Sequence, residues 1–403
     1  MENQTHPLLW ASLLLTMAAL LALGGIQPLP FGFIPSLLGI GFLVAARLRQ
    51  KSWIKLDWPL YGWLLALFIL TASSYFWSIT PEATFERSLK VCGLLLCALP
   101  LIDLARAIPV SALHRWQMLF PIATIIAGLY PLIELQLDFP IQKILGMPPP
   151  ENVIWGSNLN KHVSIFIMML APALLICHRA GAYSVSAVML IMAGVLIATT
   201  ESQAAQLALL VIPLAWCGSF ILPGTGIPLA FTLAGALLLL MPWLSPIAFD
   251  MFAADMNKEG SLAEQASVSM RLENWDFISR KIMENPATGF GMDATRSIND
   301  FQTEKLYFLT STIMHPHNIA LQLWIEFGAL GVALMLGFFA FLLRRLLRLP
   351  RAERRIPFTV FCVVLSFLMV SWSIWASWLL GFIVFLTAVT ILASRTSSAR
   401  VTS

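Results

Sequence analysis

His315, Pro316, His317 and Asn318 close a long polar stretch, and an apolar run from Ile319 to Leu343 follows at once. Three polar side chains therefore stand at the mouth of an apolar helix. Pro316 suits the first turn of that helix, where its missing N–H costs nothing. The unpaired N–H groups and the positive end of the helix dipole would then lie near His317, favouring a neutral imidazole and an anion beside it. A neutral imidazole can act as a base. A base beside an anion site at a membrane surface is what transfer from a lipid diphosphate to a hydroxyl requires.

Other residues could serve the same chemistry. Residues 269 to 284 read as an amphipathic helix with Leu272, Trp275, Ile278 and Ile282 on one stripe, stopped by Asn285-Pro286 and followed by a Gly289-Phe290-Gly291 turn. Such a helix can lie over a bundle as a lid. Arg271, one turn before Trp275, would then reach down to a diphosphate, which its planar fork suits. Arg280, Lys281 and Arg296 read instead as solvated charges. Asn158, Asn160, Lys161 and His162 follow a Pro-rich link, and amides offer sugar hydroxyls both donor and acceptor. Helix capping by the two Asn and snorkelling by Lys161 is the structural alternative, and His162 is more often a packed histidine than a base. Glu201, Gln203 and Gln206 lie close to hydrocarbon, where polar groups face a bundle interior or tie helices together. Arg87 and Lys90 could draw an anionic headgroup, with an i,i+4 Glu86–Lys90 pair as the plainer reading.

The elements that must position these groups are membrane helices. Of 403 residues 58% are hydrophobic and 11% charged, which excludes an ordinary soluble domain. Apolar runs predict an all-α, polytopic fold of about twelve spans: 8–24, 30–46, 58–77, 88–105, 115–135, 159–177, 183–199, 203–221, 227–248, 318–343, 356–374 and 376–394. With the N-terminus inside, fifteen of the 25 Lys and Arg fall in cytoplasmic links, among them Arg47, Arg106, Arg179, Arg345 and Arg395. The long loop between spans nine and ten then faces outward. The expected layout is residues 1–248 as spans one to nine, 249–317 as an outer loop with the catalytic residues and lid, and 318–403 as spans ten to twelve with a cytoplasmic C-terminus.

Several classes fall away on the same residues. The net charge of +4 fits anchoring to anionic lipids, and no basic patch interleaved with aromatics points to nucleic acid. All five Cys lie in apolar runs without a C-x-x-C, so neither a disulfide framework nor a zinc site is expected. His315 and His317 alone are too few for a metal, and no cofactor is expected. Glu326 is nine residues past His317, on the opposite side of the helix, so it should pair with another helix, with Gly328 and Gly331 allowing the approach.

In this order on this topology, the Gly156-Ser-Asn-Leu-Asn160 entry to span six, the Arg271-Leu-Glu-Asn-Trp275 to Gly291 segment, and His317-Asn-Ile-Ala-Leu321-Gln with Glu326-Phe-Gly328 and Gly331 resemble the O-antigen ligase and Wzy-type polymerase superfamily. The chain length and the single dominant loop look most like an O-antigen ligase. That resemblance implies transfer of a glycan from undecaprenyl diphosphate to a sugar hydroxyl of lipid A-core, without metal, at the periplasmic face of a bacterial inner membrane. It also implies essential residues at Arg271 and His317. From the chemistry of the residues, His317 would take the acceptor proton and Arg271 would stabilise the departing diphosphate, attack opposite the leaving group predicts inversion, His315 would orient His317 or the acceptor, and Asn158 and Asn160 would touch sugar. Many members carry Ser-Arg where this chain has Ser202-Gln203. Lys161 or Arg87 would then supply the second cation, or Gln203 would bind by hydrogen bonds alone. A glycan polymerase or a protein O-oligosaccharyltransferase would share the donor site. A lipid or ion transporter, the reading from another class, would instead show broken helices with charges near the midplane. Oligomeric state is left open.

Overall fold

The computed structural model describes residues 7–144, 146, 154–200, 202–256, 268–298 and 313–395. Among these, the chain is helical with no strand. The helices are α1 (Pro7–Ile26), α2 (Ile34–Gln50), α3 (Trp58–Ser73), α4 (Pro81–Ala98), α5 (Pro100–Ala107), α6 (Val110–Trp116), α7 (Leu119–Gln136), α8 (Pro140–Ile144), α9 (Ile154–Ala180), α10 (Tyr183–Thr199), α11 (Gln203–Ile221), α12 (Gly226–Met256), α13 (Val268–Ile282), α14 (Ile319–Leu347), α15 (Arg351–Val370) and α16 (Ser377–Arg395). Among the described residues nine helical segments are long and apolar enough to cross a bilayer, with α4–α5 and α6–α7 each counted as one. Each of the twelve expected spans overlaps a helix. Three of those helices fall short by length or charge: α2 and α10 have 17 residues, and α15 opens with Arg351, Glu353, Arg354 and Arg355.

Hydrophobicity all round a helix predicts burial, and α9 obeys this. Val163 to Ala171 are buried without interruption, and α1, α7, α10, α11, α15 and α16 surround them. By contrast, α3 and α11 turn large apolar side chains such as Leu65 and Leu214 outward, as a lipid-facing surface allows.

At one end of the bundle the cations gather. Arg345 bonds both carboxylate oxygens of Asp57, Arg106 reaches the same carboxylate at 2.7 Å, and Arg395 caps the Ala105 carbonyl at 2.8 Å. Those three arginines are among the ones the sequence assigned to a single side of the membrane.

Helix α14 carries the site and packs on α3, α12, α13 and α15. It begins one residue past Asn318, whose side-chain oxygen accepts from the Leu321 N–H at 3.1 Å as an N-cap. Pro316 is therefore outside the helix, not in its first turn. The reason is His317, whose φ of +54° no α-helix accepts. Trp324 of α14 donates to the Leu238 carbonyl of α12 at 2.9 Å. Pro242, four residues on, has no N–H to give that carbonyl, so the indole takes the vacant place.

The sequence expected Gly328 and Gly331 to admit a neighbouring helix. Instead, α14 breaks at Gly328 (φ +56°, ψ −147°) and admits a loop. Ile325 and Glu326 lose their usual helical partners, and their carbonyls accept from Phe290 and Gly291 at 2.9 Å each. The freed N–H groups of Ala329 and Leu330 donate to Pro286 and Ala287, at 2.8 and 3.4 Å. Helix and loop thus exchange four backbone bonds, which is how irregular backbone survives away from water. At Gly331 the atoms nearest to a built Cβ belong to Phe327 and Leu323 of its own helix.

Candidate active site

Residues 313–318 run across the top of α14, and α13 lies against them. The expected amphipathic helix is present as Val268–Ile282, with Leu272, Ile278 and Ile282 buried and Trp275 half-buried against α12 and α14. Trp275 donates its indole N–H to the Pro316 carbonyl at 2.8 Å. This bond ties the helix bearing Arg271 to the segment bearing His317. The loop after α13 is clamped as well, by Trp77 on Thr288 (2.9 Å), Thr84 on Met292 (3.0 Å) and Ile79 on Phe290 (3.1 Å).

His317 Nδ1 is hydrogen bonded to the Ser371 carbonyl, in the turn between α15 and α16. A carbonyl can only accept, so Nδ1 carries the proton and Nε2 presents the lone pair. His315 lies with its ring centroid 4.0 Å away, and its Nδ1 accepts from the His317 backbone N–H at 3.3 Å. Burial pushes His317 below the ordinary histidine range; the Ser371 carbonyl opposes this and the charge of Arg271 adds to it. Burial likewise drives His315 down to about 3, with His317 and Arg296 contributing. Both imidazoles are neutral at pH 7.

Arg271 is half-buried, and its guanidinium donates to Gln203 Oε1 at 3.4 Å. Burial lowers its titration. Gln203 opens α11, whose N-cap is Ser202. Thus Gln203, which stands where the resemblance expects a second cation, holds Arg271 by its amide oxygen. Gln206 bonds the Ile197 and Thr200 carbonyls at 3.4 Å, the structural use expected of it. Glu201 lies outside the described residues.

Lys161 sits over the Trp372 ring at 5.7 Å, one residue from the carbonyl that holds His317. Asn160 buries an unpaired Oδ1, and Trp372 an unpaired Nε1. The backbone of Asn158 is in α9, and its side chain lies outside the described set. Arg87 is not in this group: it donates to the Trp375 carbonyl at 3.2 Å and lies 3.7 Å from Asp293. His162 donates to the Gly25 carbonyl at 2.6 Å and packs on Tyr130, as a structural histidine does.

Glu326 is fully buried and accepts from Gln322 (2.9 Å) and Trp375 (2.5 Å). Gln322 also bonds Ser373 and Ile374, so this network fixes the 371–376 turn and with it the Ser371 carbonyl. A transporter would need that carboxylate on a path. Although it lies beside a broken helix, it faces protein on every side. Ser371 and Trp372 were missed from sequence: a backbone carbonyl has no residue type, and a Trp at a helix end reads as an interfacial anchor.

A family profile described as O-Antigen ligase matches residues 187–336, a stretch that includes Gln203, Arg271, His315 and His317. Among curated proteins, one named "Putative polysaccharide ligase" from Rickettsia conorii is 27% identical over 176 residues, 37% of this chain and 42% of that protein. Another of the same name from Rickettsia prowazekii is 32% identical over 128 residues, covering 30% of this chain and 31% of the relative. The chain therefore spans between 31% and 42% of the length of these relatives. The resemblance carried by the sequence motifs is borne out: residues 187–336 match the O-antigen ligase family model, and the relatives that share sequence with this chain carry the name polysaccharide ligase.

Proposed function

We propose that this protein is an O-antigen ligase, a polytopic inner-membrane glycosyltransferase of twelve spans whose site faces the periplasm. It moves a glycan from undecaprenyl diphosphate to a sugar hydroxyl of lipid A-core. The observation that carries this reading is a neutral His317, its Nδ1 proton held by the Ser371 carbonyl, within reach of the charge of Arg271. Nε2, left with the lone pair, takes the proton from the acceptor hydroxyl as its oxygen attacks the anomeric carbon. Arg271 meets the charge that grows on the departing diphosphate, where a preorganised donor matters most. Attack opposite the leaving group inverts the anomeric centre.

A bound diphosphate has a second effect. Its negative charge offsets that of Arg271 and raises the affinity of His317 for a proton, so the donor itself strengthens the base. Gln203 orients Arg271, Lys161 supplies a second cation toward the substrate, and His315 holds the His317 backbone in its left-handed turn. Asn158 and Asn160 contact sugar.

Purified protein, lipid-linked glycan and lipid A-core, incubated in a chelator, should yield ligated product. His317→Ala should abolish it while the protein remains folded in the membrane. Unchanged ligation by that variant would reject the assignment.

A further inference from the structure

Beside Trp375, in the turn whose Ser371 carbonyl holds His317, a cavity of about 470 Å³ opens between α2, α4 and α16. Its walls are apolar, with Leu37, Leu94 and Leu380 prominent, and the cations on it are Arg87 and Lys90, one helical turn apart on α4. Along α4 it runs from Arg87 to Cys97, ten residues or about 15 Å at the usual rise. That is about half the thickness of a hydrocarbon core, the depth of one leaflet. Gly93 lines the cavity and has open space where a Cβ would stand.

We propose that this groove binds an anionic phospholipid from the leaflet on the His317 side, with an acyl chain along α4 and its phosphate at Arg87 and Lys90. Charge complementarity selects the occupant, since apolar walls with cations at one end match a chain that ends in an anion. The existing partners of the two cations leave room for it. Lys90 pairs with Glu86 across an exposed i,i+4 contact, with both side chains 66% exposed, and such pairs yield readily to a competing anion. Asp293 stands 3.7 Å from the Arg87 Nε and has its closer partner in Arg296, at 3.0 Å. The lining of the cavity includes none of His315, His317, Arg271, Gln203 and Lys161, so the site is separate from the proposed transfer centre.

Lipid retention by the purified full chain, read by native mass spectrometry after exchange into mixed phosphatidylglycerol and phosphatidylcholine, tests this. Wild-type protein should retain phosphatidylglycerol at least about fivefold over phosphatidylcholine, the weight of one cation at a membrane surface. Lys90→Glu should erase that preference. Gly93→Phe should lose the bound lipid, whereas Gly62→Phe, at another open glycine on α3, should keep it. Equal retention of the two lipids, or a Lys90→Glu variant that keeps the preference, overturns the proposal. His317→Ala should retain lipid as wild type does, so failure of the transfer reading and failure of this one are read separately.

Discussion

Replacing Gly328 by Ala tests the exchange of backbone bonds between α14 and the 286–291 loop. A Cβ built there would stand 2.5 Å from Ala287 C and the Pro286 oxygen, and 2.6 Å from the Ala287 oxygen. All three are backbone atoms, so no side chain can swing aside. The φ of +56° adds strain of roughly 1–3 kcal/mol for any residue with a Cβ. Moving the loop to relieve the clash lengthens bonds now at 2.8 to 3.4 Å, each contributing about 0.5–1.5 kcal/mol. A loss of about 3 kcal/mol or more is expected, large against the marginal stability of folded proteins. Because the loop continues from α13, Arg271 should shift too and ligation should fall with stability. Thermal unfolding in detergent and the transfer assay on the same preparations measure the two effects. Gly194→Ala, in the open face of α10, should be neutral or slightly stabilising. A Gly328→Ala variant as stable and active as Gly194→Ala would refute the account of the broken helix.

Three further outcomes follow from the site. His317 titrates below the ordinary histidine range, so the free protein keeps its base deprotonated as pH falls to 6.5. The acid limb of kcat/KM should therefore lie below pH 6.5, and the limb of kcat at a higher pH than the limb of kcat/KM once the anionic donor is bound; a kcat/KM limb above 7 would contradict this. Stability carries the same sign. A group with a depressed folded pKa binds more protons when unfolded, so burial of His315, held down to about 3, should cost stability progressively as pH drops from 6.5 toward 3 in denaturant titrations. Arg271→Lys keeps the charge but loses the fork, and should lower kcat on the order of 10²-fold with the fold intact, measured by single-turnover transfer. Glu326→Gln sets an amide N–H against either Gln322 or Trp375, both donors, and should cost about 1–3 kcal/mol in thermal unfolding.

Much of this protein is written locally. Apolar runs of bilayer length need no partner to declare themselves, because the solvent they match is the membrane. Leu272, Ile278 and Ile282 recur at helical spacing and are buried together in α13, and Asn318 caps α14 from beside its first residue. His317, Arg271 and Gln203 were legible as residue types out of place near hydrocarbon. Their arrangement was not. The bond from Arg271 to Gln203 joins residues 68 apart in the chain, and the one that selects the His317 tautomer joins residues 54 apart, through a carbonyl every residue possesses. Arg87, one of the alternatives the sequence offered for a cation at the donor, donates to the Trp375 carbonyl and lies 3.7 Å from Asp293, contacts that no local pattern announced. Gly328 looked like a small residue for helix packing, since its letter is the same whether it admits a helix or receives a loop. Side-chain chemistry and periodicity are properties of a sequence; which backbone groups satisfy one another across it is settled only when the chain closes on itself.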